Sequence, residues 1–416
     1  MSPPSISILI PTRERADTLR HTLRSCTDQS YQNLEIVVCD NFSLDNTRNV
    51  VGEVDDPRLR YVNTGRRLSM AANWEFALSQ IDSDYVTIIG DDDGLIPGAI
   101  SDLAALLQSS KSPVVTWKKA EYCWPNYLDE EIRNYLAIPV ANRLISVPSK
   151  LALQHMYRFW MGYSKGPCVY NSVVSMQSLK KISDRDGLCF GAYCPDVYSS
   201  LALASVTDSY LFCTRPFSVN GASAHSNGTS AMRPDVDQAA ARQFMSEYGD
   251  QELGFADVRG SITSAVMDSL VSFSDRCPTL APQPPYRKAF RRIVAELSAW
   301  PGLLEENEER LTILAERHGH GPKVQRLLAR EKSASANARV SARDAARPSP
   351  PVLEGENLVL WGDRHGVADV SQACNLAGRV LGSFAAPARV NRYSVASVIY
   401  SRCVRAAQNA SPYIGA

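Results

Sequence analysis

The sequence lacks net charge: 44 lysines and arginines balance 44 aspartates and glutamates over 416 residues. Nucleic acids and anionic membranes both favour a basic face, so a neutral balance gives no whole-chain case for either, and no nucleic-acid partner is expected. No apolar run reaches the ~18 residues of a membrane helix, and no basic segment precedes the first apolar stretch. The chain is therefore read as soluble and cytoplasmic. Paired cysteines are missing as well. Ten occur singly and none forms Cys-x-x-Cys, which excludes a zinc ribbon and a thioredoxin-type dithiol. Neither Gly-x-Gly-x-x-Gly after the first apolar run nor Gly-x-x-x-x-Gly-Lys-Ser/Thr anywhere is present. Dinucleotide folds and P-loop enzymes need those glycines for close backbone approach to phosphate.

What is present is an alternation of short apolar runs and helical spacings. Residues 5–10 (SISILI) suit a buried strand that Pro11 stops. Leu19, Leu23 and Cys26 then share a helix face. Residues 34–39 form a second strand ending at Asp40, and residues 59–62 a shorter third. Trp74, Ala77, Leu78 and Ile81 follow the spacing of an amphipathic helix. Residues 85–89 (YVTII) run straight into Gly90, Asp91, Asp92 and Asp93; a helix over 100–107 and a strand over 113–117 follow. This order predicts an α/β domain with a mostly parallel central sheet flanked by helices.

Parallel sheets place ligands beyond the carboxyl ends of their strands. Here those ends carry Thr12 and Arg13, Asp40, and the run Asp91 to Asp93. Residues distant in sequence thus converge on one crevice. Aspartates closing a buried strand suit a divalent cation of the Mg2+ or Mn2+ kind, which takes oxygen ligands and lets substrate phosphates complete its shell. A solvated acidic turn is the plainer alternative.

The strand–Pro11–Thr12–Arg13 segment, the stretch Asp40-Asn41-Phe42-Ser43-Leu44-Asp45-Asn46-Thr47, and residues 85–97 (YVTIIGDDDGLIP) together resemble family 2 glycosyltransferases of the GT-A fold. The resemblance covers residues 5 to 117 well and returns more weakly over 165–230. It implies a Rossmann-like GT-A domain, a nucleotide-sugar donor (first of all a UDP-sugar), and a glycan or lipid-linked saccharide acceptor. It also implies a divalent cation and inversion by single displacement. Position by position it puts Pro11, Thr12 and Arg13 along the nucleotide pocket and Asp40 at the base. Arg67, or its neighbour Arg66, meets the diphosphate or base edge ahead of the Asn73 helix. Asp91 faces the ribose, while Asp92 and Asp93 take the metal-binding and last positions, in a register fixed by Pro97. Gly90 replaces the family's frequent first aspartate.

Glycosyl transfer also needs a base for the acceptor hydroxyl. Asp196 stands where the family places the Asp of its Glu-Asp pair, with Pro195 in place of the Glu. An ordinary helix cap is the plainer reading of the same aspartate. His225, in a loop of small residues, is the candidate extra metal ligand. Trp117 and Trp124 are candidates for stacking on an acceptor sugar, although aromatic residues more often fill cores. A sugar-nucleotide pyrophosphorylase lacks support, because no glycine-rich loop follows Ile10. A GT-A protein that keeps the shape but has lost catalysis is the non-enzyme alternative.

The expected organisation is a nucleotide-binding half over 1–117, an acceptor-binding half over 118–234 and a helical region over 235–330 (helices at 239–248, 262–273, 289–297 and 303–314). A linker over 331–351 and a small segment over 352–416 complete it. That last segment reads as a strand at 358–361 and a helix over 367–381. Three roles are open to it: docking on the body, joining a second copy, or resting on the inner face of a membrane.

Overall fold

The computed structural model describes residues 2–224, 226, 254–300, 302–335 and 352–382. The first half alternates as expected: β1 (Ile6–Thr12), α1 (Ala16–Thr27), β2 (Leu34–Asp40), α2 (Thr47–Gly52), β3 (Leu59–Asn63), α3 (Met70–Leu78), β4 (Tyr85–Ile88), a two-residue β5 (Gly94–Leu95) and α4 (Ala99–Ser110). Then follow β6 (Val114–Trp117), β7 (Ala120–Cys123), β8 (Tyr135–Pro139), β9 (Leu144–Pro148), α5 (Ser149–Tyr157), β10 (Ser172–Ser175), α6 (Met176–Asp186), α7 (Pro195–Val206), β11 (Ser209–Cys213) and β12 (Ser218–Ala222). The helical region is α8 (Ile262–Arg276), α9 (Tyr286–Ser298), α10 (Leu303–Arg317) and α11 (Gly321–Ser335). The last described residues form β13 (Val352–Glu354), β14 (Asn357–Trp361) and α12 (Val370–Gly382).

The central sheet has the order β3-β2-β1-β4-β10-β6-β11-β9. β1 to β4 are mutually parallel, and their register places Thr12, Asp40 and Asn63 in one row at the carboxyl ends. The far half of the sheet is mixed. β10 lies antiparallel between β4 and β6, and β9 antiparallel on β11. β10 escaped the sequence reading because its four residues (SVVS) carry only two apolar side chains.

β1 does not stop at Pro11 but continues to Thr12. The carbonyl of Leu9 accepts from Ile89 on the β4 side. Pro11, two residues on, faces that same side, where the pairing has already ended at Ile88. Its missing N–H therefore breaks no ladder bond.

A second sheet, β13-β14-β8-β7-β12-β5, was not legible in the sequence. In it residues 352–382 dock on the body, the first of the three roles open to them. β14 pairs antiparallel with β8, Leu360 opposite Leu136. α12 buries Val370, Ala373, Cys374, Ala377 and Leu381 against the second sheet. It comes so close to the chain after the aspartate run that a Cβ on Gly94 would lie 2.6 Å from the Cys374 sulfur. α11 runs on to Ser335, past the expected linker start at 331. The helix expected over 239–248, the rest of the linker and residues 383–416 lie outside the described residues.

Candidate active site

The carboxyl ends of β1, β2 and β4 define the crevice, and each aspartate in it has a different surrounding. Asp40, 1 % exposed, is enclosed by donors. Its Oδ2 accepts from Tyr61 Oη (2.6 Å) and Asn63 Nδ2 (3.0 Å), and its Oδ1 from the backbone N–H of Ser43 (2.9 Å). Asp91 is committed on both oxygens: Thr12 Oγ1 donates to Oδ2 at 2.7 Å, and Arg15 Nη1 sits 2.8 Å from Oδ1. Asp93, fully buried, accepts from the Gly90 N–H, Tyr170 Oη (2.6 Å) and Asn171 Nδ2 (3.0 Å) on one oxygen. Its other oxygen accepts from the Gly221 N–H. Asp93 is a keystone that ties β4 to β10 and β12.

Asp92 differs. Ser223 Oγ and Ser226 Oγ donate to its Oδ2, and Trp124 Nε1 donates to its main-chain carbonyl at 3.1 Å. Its Oδ1 takes no hydrogen bond among the described residues. A Cβ on Gly90 would stand 3.0–3.2 Å from Tyr170 Oη, Asp92 Oδ1 and Asp93 Oδ2. A side chain there would press on two carboxylates and the Tyr170 hydroxyl, each of which would have to give by a few tenths of an ångström.

Burial raises the carboxyls of Asp91 and Asp92 above the usual range, with the Arg15 charge as the largest opposing influence on each. Burial alone would lower Arg15, but Asp91 and Asp92 outweigh it and leave the guanidinium raised. Among the described residues no three histidine, cysteine, aspartate or glutamate side chains form a ready cage for a metal ion. The donor chemistry fits a cation of another kind. Mg2+ and Mn2+ bind through one or two carboxylates plus substrate phosphates, and Asp92 offers one uncommitted carboxylate oxygen at the crevice. Asp91 and Asp93 have theirs engaged. His225 lies outside the described residues.

On the opposite wall, Asp196 occupies the first turn of α7, after Pro195 at its start. Burial raises its carboxyl; backbone N–H groups of Val197 and of Asp196 itself, the Lys119 charge and the Tyr163 phenol all pull it back down. Asp196 in turn drives the Tyr163 hydroxyl well above its ordinary value. Lys119 Nζ donates to Asn220 Oδ1 at 3.0 Å and stands 5.3 Å from the ring centre of Tyr170. Tyr170 feels Asp92, Asp93 and Asp196 together. Lys119 and Tyr170 therefore link the aspartate run to Asp196 across the crevice.

The remaining candidates fall into two groups. Thr12, Arg13 and the half-buried Pro11 close β1 at the crevice. Arg67 is paired with Glu14, whose carboxylate also accepts from the N–H groups of Leu44 and Asp45. Glu14 itself holds a left-handed backbone (φ 54°), a strained setting for a non-glycine residue beside a site. Asn73 is buried, its Oδ1 accepting from the Cys39 thiol. The two tryptophans are a correction. Trp117 is 1 % exposed, its Nε1 bonded to Ser218 Oγ (2.8 Å) and its ring edge-on to Phe217; Trp124 is 6 % exposed and bonded to Asp92. Both indoles satisfy their N–H inside the protein and show no face to an acceptor. Sequence reasoning missed Arg15, Lys119, Tyr163, Tyr170, Asn171, Ser223 and Ser226. Only Arg15 carried a local signal, two residues after Arg13.

Residues 7–180 match the model of the family described as Glycosyl transferase family 2, and this part of the chain is a domain of that family. Among curated relatives, the GalNAc(5)-diNAcBac-PP-undecaprenol beta-1,3-glucosyltransferase of Campylobacter jejuni is 35 % identical over 24 % of this chain and 33 % of its own. The UDP-Glc:alpha-D-GlcNAc-diphosphoundecaprenol beta-1,3-glucosyltransferase WfaP of Escherichia coli is 26 % identical over 26 % of this chain and 42 % of its own. The chain thus spans between a third and about two fifths of the length of these two relatives. Among solved structures, S. aureus TarS 1-349 in complex with UDP-GlcNAc is 14 % identical, with a TM-score of 0.43 over 81 % of this chain and 93 % of that one. At that score the fold assignment rests on the strand order described above and not on the likeness.

Proposed function

We propose that the chain is a glycosyltransferase that moves a sugar from a nucleoside diphosphate, UDP first, to a hydroxyl of a glycan or lipid-linked acceptor. The observation that carries this is the meeting of two carboxylate sets across one crevice. Asp91 to Asp93 stand at the end of β4 and Asp196 at the start of α7, with Lys119 and Tyr170 between them. The family of residues 7–180 supports the reaction class. The names of the two relatives, one with UDP-Glc as donor and both with diphosphate-linked lipid acceptors, support the donor and acceptor classes.

In this reading the nucleotide lies over the row Thr12, Asp40 and Asn63, and Arg67 reaches its diphosphate. A bound divalent cation would act as a Lewis acid on the leaving diphosphate, with Asp92 as its protein carboxylate. Arg15 holds Asp91 and adds positive charge near the developing phosphate charge. The acceptor oxygen attacks the anomeric carbon, the bond to the diphosphate breaks, and the hydroxyl proton passes to Asp196. A raised carboxyl is a better base for that proton than an ordinary surface aspartate. Attack from the face opposite the leaving group inverts the anomeric centre.

Calorimetric titration of the purified chain with UDP, GDP and CDP, each with Mn2+ and with EDTA, tests the donor half. Tight, metal-dependent binding of one nucleotide is the expected result. Binding indifferent to EDTA would remove Asp92 from its role, and no binding of any nucleotide would overturn the donor site. Product NMR showing retention of the donor's anomeric configuration would overturn the single displacement.

A further inference from the structure

Outside the aspartate run the neutral chain gathers cations on one helix face. α9 turns Ala289, Phe290, Ile293, Val294 and Leu297 into the core and leaves Arg287, Arg291 and Arg292 exposed, with Lys288 half-buried among them. The helix's one acid, Glu296, is turned away and bonded to Ser261 and Thr263. Beside α9 opens a recess of about 550 Å³, lined by two prolines, Tyr286, Arg287, Lys288, Arg291 and His320, with no acidic side chain.

The segment after α5 extends this face. Arg158 lies 5.0 Å from the ring centre of Trp160, which is 48 % exposed. Phe159 sits beneath both Lys288 and Arg292, the latter at 4.9 Å. Lys288 Nζ also donates to the Arg158 carbonyl, fixing the segment to α9. Like charges crowd here: burial lowers Lys288 and His320, and Arg292 and Arg287 respectively lower them further, Lys323 adding to the effect on His320. Asp275 acts on Tyr286, at the rim of the recess, and on His318. Arg287 and Arg291 form no ion pair or hydrogen bond among the described residues.

Exposed arginines near an exposed tryptophan, beside an open recess without acidic side chains, match an anionic lipid surface. Guanidinium groups pair with headgroup phosphates, and an indole settles at headgroup level. Trp160 lies three residues before Tyr163, whose phenol is near enough to Asp196 to lower its carboxyl. The segment that carries Trp160 therefore leads along the chain to the acceptor side of the crevice. We propose that this face, formed by α9 and residues 158–160, docks the protein on an anionic phospholipid bilayer, with a lipid phosphate in the recess. The docking brings a lipid-linked acceptor to Asp196, and in that second respect alone it rests on the function proposed above.

The test is co-sedimentation of the full chain with vesicles of phosphatidylcholine and of phosphatidylcholine mixed with phosphatidylglycerol. Binding is expected only with phosphatidylglycerol and should weaken as salt screens it. The double substitution Arg287→Ser with Arg291→Ser should weaken it roughly thirtyfold, from about fivefold per cation near an anionic surface. Trp160→Ser should weaken it less, and both variants should keep the wild-type melting temperature and nucleotide titration. Equal binding to both vesicles, absence of binding, or unchanged binding by the double variant would overturn the proposal. A failed nucleotide titration would instead sink the glycosyltransferase reading and leave the vesicle result to stand alone.

Discussion

A Cβ on Gly221 would lie 1.8 Å from the carbonyl oxygen of Asp92. β12 thus passes directly against the backbone of the aspartate run, and the Gly221 N–H reaches Asp93 Oδ1 at 2.8 Å. Only a residue without a side chain permits both. Gly221→Ala should cost about 3 kcal/mol or more, the upper range for overpacking. Urea unfolding of the variant against wild type measures it; a loss within half a kcal/mol would show that the two segments do not approach this closely.

Tyr170 holds Asp93 from β4's other flank. Tyr170→Phe removes a hydrogen bond to a fully buried carboxylate, worth about 1.5–3 kcal/mol. Because the same ring lies under Lys119, turnover should fall together with stability. A variant that melts like wild type would show that the phenol does not support the run.

Asp196→Asn should lower kcat by a factor of about 10²–10⁴ while nucleotide binding stays as it was. The rate has a pH signature as well. Burial raises the Asp196 carboxyl, so the rate should fall as pH drops through a value above that of an ordinary aspartate, where the base becomes protonated. The Tyr163 phenol favours the charged form and lowers that value. Tyr163→Phe should therefore move the acid limb to higher pH, and a limb left in place would separate Tyr163 from the base.

Asp92 is a buried carboxylate raised by burial. Folding then takes up a proton between the unfolded and folded values, so this group's stabilising share is present at low pH and lost as pH rises through the folded value. Asp92→Asn should leave the metal-free protein as stable as wild type or more so at neutral pH. It should also abolish any rise in melting temperature produced by Mn2+ with UDP. Persistence of that rise would place the cation elsewhere.

α12 packs on Gly94 through Cys374, and Asp369 at its start lies 3.2 Å from His21, whose ring meets Trp124 edge-on at 5.7 Å. Gly94→Ala should be destabilising by about 1–3 kcal/mol. Adding Cys374→Ala should restore part of the loss, the non-additivity expected of groups in contact. Strict additivity in a double-mutant cycle would detach the C-terminal segment from the site.

Local chemistry wrote much of the crevice. The apolar runs at 5–10, 34–39 and 85–89 became β1, β2 and β4, and their parallel pairing forced Thr12, Asp40 and Asp91 to one end. The strand read at 358–361 became β14, but β10 and the rest of the second sheet were hidden, since short strands of mixed polarity carry too little period-two signal to separate from loops.

The sequence alone determined which carboxylates stand at the strand ends, because strand periodicity acts over a few residues at a time and the strand–helix alternation dictates parallel pairing. Only the tertiary structure decided which of their oxygens are free. Arg15 is 76 positions from Asp91, Asn171 is 78 from Asp93 and Ser223 is 131 from Asp92. Contacts across such separations are chosen by packing and by the need to pair every buried charge. Burial of the rings, with each N–H hydrogen-bonded inside, turned both tryptophans inward, and burial of one apolar helix face brought residues 352–382 back behind the aspartates.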